Sequence, residues 1–351
     1  MMRFAIVDFR LSIQAALLVA FVLSLSACTT APESTDNPVS RDVAVDAGLS
    51  STVSLVLDDG GRGDAFGSAI VLNDQGYLIT AQHVIDGAVG VTVLGPNGRA
   101  SVARIVAEDA VGDIAILQCK PLPSMKPATP APSARPGEDV LSVGNPFGTS
   151  RLGGAPSVSA GVVSAVNRSF VSEKSGRVYL DCVQHDAPTN PGNSGGGVYN
   201  ARGQLIGMNV LINTPQDVAA ESGVAFALPA ARLWKVADQL MRGEDLKHGW
   251  LGARGYRVAL WLTPEGLGRT GSMLREIEDA SPAYQAGIQA GDLVVRASWS
   301  SGAWPAVQGE VREWLLVEDE LPPGQPMTLT ISRAGRELEF KLTVAQRTLR
   351  R

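Results

Sequence analysis

The sequence has few of the residues that build metal sites, and it nowhere concentrates positive charge. It contains three histidines and three cysteines among 351 residues, and these are scattered rather than set at the spacing of metal ligands. Acidic and basic residues are interspersed, with a formal net charge of −5. The sequence therefore predicts no metal ion, no cofactor, no basic face for nucleic acid and no charged tail.

The apolar run near the start of the chain is short for a membrane span. Residues 11–27 are apolar apart from serine and glutamine, and Arg3 and Arg10 precede them. About 17 residues are marginal for crossing a bilayer, whereas a short apolar core between basic and small residues is typical of a secretory signal. We therefore predict a signal segment over residues 1–28, with a transmembrane anchor as the alternative.

The end of this segment, LSAC at residues 25–28, resembles the bacterial lipoprotein box. The resemblance implies that Cys28 is lipidated and becomes the mature N-terminus. Thr29 is not the aspartate associated with inner-membrane retention, so the outer membrane is favoured, and several lipid chains on one cysteine anchor stably. Residues 29–48 are predicted to be a flexible tether, because their first part is rich in Thr, Pro, Ser, Asp and Asn.

The two remaining cysteines, Cys119 and Cys182, lie in apolar, strand-like runs. In an exported protein they could form a disulfide, but small buried thiols are also common. The sequence favours two free buried cysteines and leaves the disulfide open.

From residue 53 to about residue 210, short apolar runs alternate with Gly, Asn, Asp and Pro. Many short strands separated by turn signals predict an all-β sandwich or barrel. About twelve strands are too many for one small barrel and fit two. Helical spacing follows over Pro229–Met241, and Gly243 is a stop signal. The predicted apolar face of this helix contains Leu233, Val236, Leu240 and Met241.

A second unit is predicted from about Gly249 to Gln346. It contains a short helix, Pro282–Ala286, bracketed by glycines, and then a strand. Two alternating segments near its end, residues 327–332 and 337–344, predict a pair of strands joined at a turn.

The segment from Asp186 to Val198 carries the most informative serine of the chain. Ser194 lies between glycines at the end of a loop rich in Pro and Asn. Glycines allow unusual backbone positions and leave successive N–H groups beside the serine oxygen, where a negative charge could be stabilised. Taken alone, the segment is compatible with a nucleophile loop or with an ordinary glycine turn.

Two upstream residues favour the nucleophile. A serine hydroxyl needs a base within hydrogen-bond reach, and the base needs an orienting group. His83 follows a predicted strand, and Asp113 leads a strongly apolar run, where a carboxylate needs a partner. Asp109 is the competing carboxylate. The order His83, Asp113, Ser194 is that of the chymotrypsin-type enzymes.

Here the chain resembles the HtrA/DegP-type serine proteases over roughly residues 50–346. The motifs are GSAI at 67–70, TAQHVI at 80–85, GDIAIL at 112–117, GNPFG at 144–148, SAGVVS at 159–164, QHDAPTNPGNSGGG at 184–197 and GVAFALP at 223–229. The resemblance implies a mostly β protein, with two six-stranded antiparallel β-barrels (chymotrypsin-like) followed by a PDZ domain. It assigns residues 49–243 to the protease domain and residues 247–346 to the PDZ domain.

The resemblance and the chemistry together assign roles in the site. Ser194 is the nucleophile, His83 the base and Asp113 the group that orients the imidazole. The backbone N–H groups of Gly192 and Ser194 are expected to form the oxyanion hole. The resemblance places an uncharged substrate pocket at Pro188, Thr189, Val210, Leu211 and Ile212. We therefore expect cleavage after small or medium aliphatic residues rather than after Lys or Arg.

Three positions depart from the usual pattern of these proteases, and none removes a catalytic group. Gln82 stands where asparagine is usual, His185 replaces a common threonine, and Gly197 replaces a common proline or alanine. His185 could serve as a second catalytic histidine or make the site sensitive to mild acid.

The start of the second unit resembles the carboxylate-binding loop of a PDZ domain. That loop comprises Trp250, Leu251, Gly252 and Ala253, and it would capture a peptide C-terminus while the peptide extends the sheet. An ordinary turn without a ligand is the alternative. By resemblance, Arg168, in a loop before the strand at 178–183, could couple the PDZ domain to the protease site.

These expectations define an envelope serine endopeptidase that acts on unfolded or mislocalised exported proteins. Its location would be the bacterial periplasm, either anchored to the outer membrane through Cys28 or soluble. Its partners would be unfolded or C-terminal peptide segments of envelope proteins, and a homo-trimer is possible. A processing or sensor protease with a dedicated partner and a non-enzymatic holdase or binding module are the alternatives.

Overall fold

Residues 41–349 of the chain are described by a computed structural model, apart from 59, 62–63, 96–97, 154, 173, 211–222, 263–267, 300–301, 305–314, 316–317 and 320. Two closed barrels are followed by a C-terminal unit, the name used below for residues 247–346. Among the described residues, no helix is long and apolar enough to cross a membrane.

The first barrel is made of six strands whose core is filled by aliphatic side chains. These strands are β1 (Thr52–Asp58), β2 (Asp64–Val71), β3 (Tyr77–Thr80), β4 (Gly90–Leu94), β5 (Ala100–Asp109) and β6 (Ile114–Cys119). They close in the antiparallel order β1-β2-β3-β6-β5-β4. Leu55, Leu78 and Leu117 are fully buried inside, because alternate residues of each strand face the barrel interior.

The second barrel repeats this architecture. Its strands are β7 (Asp139–Gly144), β8 (Ser157–Val171), β9 (Val178–His185), β10 (Gly197–Asn200), β11 (Leu205–Val210) and β12 (Ala225–Pro229). They close in the antiparallel order β10-β11-β12-β9-β8-β7. The two barrels predicted from the number of short runs, and the six antiparallel strands in each that the resemblance implied, are therefore confirmed.

Within the described part of the chain, four α-helices lie beside the barrel strands. They are α1 (Arg41–Ser51), α2 (Gln82–Ile85), α3 (Ser150–Gly153) and α4 (Ala230–Met241). Helix α4 packs between the barrels, since Leu233 and Val236 share one core with Ile116 of β6 and Leu205 of β11. Met241 was predicted on this apolar face, but its side chain is exposed, because the helix ends there and Leu240 takes the buried position.

Helix α1 corrects part of the predicted flexible tether. Residues 29–40 lie outside the described residues, but residues 41–48, predicted to be flexible, belong to a helix. Ala44 is fully buried, and a Cβ added at Gly48 would meet Val143 and Tyr199 of the second barrel at 2.9 and 3.3 Å. Small residues thus allow this helix to pack closely against the barrel. The polar residues around them in the sequence give no sign of this packing.

The C-terminal unit is a mixture of short strands and one short helix. These elements are β13 (Gly249–Trp250), β14 (Ala253–Leu262), β15 (Gly268–Ile277), α5 (Pro282–Ala286), β16 (Leu293–Trp299), β17 (Gly302–Trp304), β18 (Pro326–Arg333), β19 (Arg336–Thr343) and β20 (Ala345–Gln346). The main sheet has the order β14-β15-β16-β18-β19, β17 pairs with β16, and β13 pairs with β20. Helix α5 begins after Ser281, whose hydroxyl accepts the Tyr284 N–H, and is followed by Gly287 in the left-handed region. Its bounds are those that the sequence predicted.

Cys119 at the end of β6 and Cys182 in β9 are both free and buried, as the sequence favoured. Arg168 differs from its predicted setting, because it lies within β8 opposite Cys182 rather than in a loop. Its side chain is exposed.

Candidate active site

Ser194 lies in the loop between β9 and β10, where two glycines allow main-chain segments to approach closely. Gly195 has φ +83°, and a Cβ there would lie 2.1 Å from the carbonyl oxygen of Ser68. Gly192 has φ +99°, and a Cβ there would lie 2.2 Å from the carbonyl oxygen of Asn145. Glycine is therefore required at both positions by close packing as well as by backbone conformation.

Ser68 of β2 ties this loop to the first barrel. Its backbone N–H donates to the Ser194 carbonyl at 3.0 Å. Its hydroxyl donates to the Gly192 carbonyl at 2.8 Å and accepts the Asn145 N–H at 2.9 Å. Sequence reasoning assigned no role to Ser68. The available signal was a hydroxyl inside the apolar run 67–71, because a buried hydroxyl needs partners.

The orientation of the Gly192 amide is set by the preceding residue. The Pro191 carbonyl accepts the Phe147 N–H at 2.8 Å, in the short 3₁₀ turn Pro146–Gly148. The C=O and N–H of a trans peptide point to opposite sides. The Gly192 N–H is therefore directed away from this turn.

His83 and Asp113 meet at one end of the first barrel. His83 lies on α2, just after β3, and Asp113 directly precedes β6. The Nδ1 atom of His83 is 2.8 Å from Oδ2 and 3.0 Å from Oδ1 of Asp113. The backbone N–H of His83 donates to Oδ1 at 2.9 Å. The carboxylate is fully buried, whereas 28% of the imidazole side chain is exposed. The ring is thus held by a buried carboxylate and remains accessible from outside.

The second barrel supplies two more partners of Asp113 that sequence reasoning missed. The Tyr179 hydroxyl donates to Oδ2 at 2.9 Å, and Nε of Arg177 lies 3.4 Å from Oδ1. Burial, followed by the nearby charge of Asp113, raises the pKa of Tyr179 far above its usual range, so the phenol remains a donor. Arg177 also donates to the Gln82 side chain at 2.7 Å. Both barrels therefore hold the carboxylate beside His83.

With this geometry established, comparisons with known proteins become informative. Residues 67–208 match the trypsin-like peptidase domain family. The chain is 31% identical over 292 residues to the serine protease Do-like HtrB of Bacillus subtilis (strain 168), covering 79% of this chain and 60% of that protein. The chain is a homologue of the HtrA/DegP serine proteases. It spans about three fifths of the length of this relative.

Further relatives of this HtrA/DegP homologue agree. It is 32% identical over 295 residues to a probable periplasmic serine endoprotease, DegP-like, of Marinomonas sp. (strain MWYL1), covering 82% of this chain and 60% of that protein. The solved structure of HtrA-type protease AlgW with a tripeptide has a TM-score of 0.70 at 28% identity, covering 88% of this chain and 98% of the other. A serine endoprotease from Yersinia pestis has a TM-score of 0.63 at 26% identity, covering 89% and 100%. The resemblance and the chymotrypsin-like fold expected from the sequence are confirmed.

Asp109, the competing carboxylate of this HtrA/DegP homologue, has a different partner. Its Oδ1 atom accepts the Gly112 N–H at 2.9 Å and lies 2.8 Å from Nε2 of His248. The other ring nitrogen of His248 lies 2.5 Å from Asp319. Asp109 therefore joins the hairpin of Asp113 to the C-terminal unit, while Asp113 is the carboxylate that contacts His83.

His185 lies in β9 and is fully buried. Burial lowers its pKa to about 4, although a hydrogen bond with Asn209 acts in the opposite direction. Its Nε2 atom lies 3.0 Å from Oδ1 of Asn209, whose Nδ2 donates to Ser142. The main chain of Asn209 also exchanges two hydrogen bonds with the loop that carries Ser194, at Gly195 and Gly196. Because the unfolded chain would protonate this histidine below about pH 6.5 while the folded chain keeps it neutral, mild acid favours unfolding, and the sensitivity to mild acid suggested from the sequence stays a prediction.

The predicted pocket residues have different environments. Pro188 is exposed, and its carbonyl accepts the Ser159 hydroxyl at 2.7 Å, while Thr189 is half-buried. Val210 is 1% exposed and lies in the core shared with α4. Its side chain therefore does not line an open pocket. Leu211 and Ile212 lie outside the described residues.

The predicted peptide-binding loop forms the turn from β13 into β14. Trp250 and Ala253 close its two ends within these strands, and Leu251 is fully buried. The N–H groups of Leu251 and Gly252 donate to the side chain of Glu318. The loop amides are therefore already bonded to a carboxylate of the same chain.

Replacing Ser68 by alanine is expected to loosen the loop that carries Ser194. The Gly192 carbonyl and the Asn145 N–H lose their shared partner, which lowers the free energy of unfolding by about 1–3 kcal/mol. Misplacement of the loop should lower kcat by about tenfold to a hundredfold. Urea denaturation and peptide hydrolysis measure the two effects.

Ser54→Ala is the matched control, because Ser54 is equally buried in the same barrel and its hydroxyl has no partner among the described residues. Equal kcat values for the two variants would contradict the role of Ser68.

Proposed function

We propose that the chain is a serine endopeptidase that hydrolyses peptide bonds through an acyl-enzyme. The observation that carries the proposal is the contact of His83 Nδ1 with the buried Asp113 carboxylate at 2.8 Å. That contact leaves Nε2 of His83 to act on a hydroxyl. Ser194, on its glycine-rich loop, is the hydroxyl that we assign to it.

In this mechanism Ser194 attacks the peptide carbonyl, and His83 takes its proton and later gives it to the leaving amine. Asp113 fixes the tautomer with Nδ1–H and stabilises the imidazolium. Such base catalysis contributes about a hundredfold to ten-thousandfold. The Tyr179 hydrogen bond supports this role, since a donor to Oδ2 helps to fix the orientation of the carboxylate beside His83.

The proposed oxyanion hole consists of the N–H groups of Gly192 and Ser194. The hydrogen bond between the Pro191 carbonyl and the Phe147 N–H supports it, because that bond directs the Gly192 N–H away from the 146–148 turn. The bond of Ser68 to the Gly192 carbonyl holds the next peptide. Donors held in place before substrate binds stabilise the developing negative charge, and each typically contributes about a hundredfold to a thousandfold in kcat.

We further propose that the substrates are unfolded or mislocalised exported proteins of the bacterial envelope. Relatives of the chain are named periplasmic serine proteases, which supports a periplasmic location. The lipid anchor at Cys28 and a homo-trimer are part of this proposal. A dedicated processing or sensor role is the second candidate, favoured by the contacts between the hairpin of Asp113 and the C-terminal unit.

Digestion of casein by the chain without residues 1–28 tests the proposal. We expect proteolysis by the parent and a loss of at least a thousandfold in Ser194→Ala, together with fluorophosphonate labelling that requires both Ser194 and His83. Mass spectrometry of the products should give cleavage mainly after small or medium aliphatic residues. A folded parent that neither digests casein nor reacts with the probe would instead support the non-enzymatic holdase, and cleavage mainly after Lys or Arg would reject the proposed pocket.

A further inference from the structure

The loop between β13 and β14 holds a carboxylate from its own chain. Oε1 of Glu318 accepts the Leu251 N–H at 2.5 Å and the Gly252 N–H at 3.3 Å. The carbonyls of the same two residues are bonded elsewhere, to the N–H groups of Ala283 at 3.0 Å and Glu278 at 2.8 Å. The two N–H groups are thus the main-chain polar groups of these residues that can hold a carboxylate. Both now donate to Glu318.

Glu318 is fixed from both sides. Its side chain is 3% exposed, and Oε2 lies 2.8 Å from a guanidinium nitrogen of Arg347, which is 8% exposed. Burial raises the pKa of Glu318, while Arg347 and the two loop amides act in the opposite direction. A buried carboxylate is tolerated only where charge and hydrogen bonds compensate it. The pair of amides together with Arg347 is therefore a complete binding site for one carboxylate.

The position of this site also suits a peptide. β14 follows the loop directly, and within the described residues it pairs only with β15. Its other edge can accept an added strand, and backbone N–H groups at the start of that edge can hold a chain terminus. A peptide whose α-carboxylate bonded to Leu251 and Gly252 would run along the edge of β14 that lies away from β15, but two carboxylates cannot share the same two amides.

We propose that Glu318 is an internal occupant of this carboxylate site and that a peptide with a free C-terminal carboxylate binds the C-terminal unit by displacing it. The proposal rests on the expected role of residues 250–253 in holding a peptide C-terminus and not on proteolysis. Competition with an internal group weakens peptide binding, because only molecules whose site is empty can bind. The apparent Kd equals the intrinsic Kd divided by the fraction of such molecules. Removing the Glu318 carboxylate should therefore strengthen peptide binding, although it removes a native contact.

The experiment uses the chain without residues 1–28 and with Ser194→Ala, so that peptides remain intact. The probe is a pool of fluorescein-labelled octapeptides, randomised at the last three positions and ending in a free carboxylate, and its fluorescence anisotropy is measured. Glu318→Ala is expected to bind the pool at least tenfold more tightly than the parent. An otherwise identical pool with a C-terminal amide should bind parent and variant equally weakly.

Two further variants keep the test decisive. Glu318→Gln preserves the shape and one acceptor, so it should tighten binding less than alanine does, and it decides the question if the alanine variant does not fold by circular dichroism. Glu339→Gln is the control, because Glu339 is exposed on β19 and carries the same charge. Equal affinity of the folded parent and Glu318→Gln for the free-carboxylate pool, or equal tightening with the amidated pool, would overturn the proposal. Casein digestion by the active chain is a separate readout, so either proposal can fail without the other.

Discussion

Replacing Asp113 by asparagine is expected to lower kcat for a peptide substrate by about four orders of magnitude. The backbone N–H of His83 donates to Oδ1, so the amide nitrogen of an asparagine cannot occupy that position. It must take the position of Oδ2, which faces Nδ1 of His83 and the Tyr179 hydroxyl. There it donates to Nδ1 and leaves the proton on Nε2, so the ring can no longer accept the proton of Ser194.

Steady-state kinetics on a fluorogenic peptide separate this effect from a loss of fold. KM should change little, because Asp113 is buried behind the imidazole and does not contact substrate. Asp109→Asn is the informative comparison, since it changes a carboxylate of the same hairpin that bonds to His248 instead of His83. If Asp109→Asn lowers kcat as much as Asp113→Asn while both remain folded, the assignment of Asp113 is wrong.

Replacing His248 by glutamine is expected to lower the free energy of unfolding by about 3–5 kcal/mol at pH 6. The imidazole lies between the carboxylates of Asp109 and Asp319, and its side chain is 9% exposed. Removing its charge leaves two buried carboxylates, with Arg232 as a remaining cation at 3.3 Å from Asp319. A buried charge that loses its partner costs several kcal/mol, because water cannot replace the lost interaction.

The same cluster predicts the pH dependence of stability. Burial by itself lowers the pKa of His248, but the hydrogen bonds and charges of Asp109 and Asp319 outweigh it and raise the value from 6.5 to about 9. The folded chain therefore holds this proton more tightly than the unfolded chain does. The stabilisation is fully present below pH 6.5 and is lost as the pH rises through 9, a change of about 3 kcal/mol.

Urea denaturation of the Ser194→Ala chain between pH 6 and pH 9.5, with and without His248→Gln, measures both effects. The difference between the two proteins should shrink as the pH rises. A constant difference across this range would mean that His248 is neutral in the folded chain. Because Asp319 follows Glu318 in the sequence, the cluster also lies beside the carboxylate that we propose is displaced by a peptide.

The sequence predicted the elements whose signals are local. Turn residues between short apolar runs predicted the two barrels, and proline and glycine predicted α5 with its observed bounds. Asp113 could be predicted because a carboxylate at the head of a buried strand needs a partner. Helix α1 was missed, because its packing depends on small residues that meet a distant barrel.

What the sequence alone determined is the set of chemical groups, the order His83, Asp113, Ser194 and the strand pattern that brings them to the barrels. Which polar residues surround those groups depends on how distant segments pack in the folded chain. Ser68 meets Gly192 across 124 positions, Tyr179 meets Asp113 across 66, and Glu318 meets Leu251 across 67. Each of them resembles an ordinary polar residue in its own segment, because the burial that makes a hydrogen bond necessary arises only when distant segments pack together.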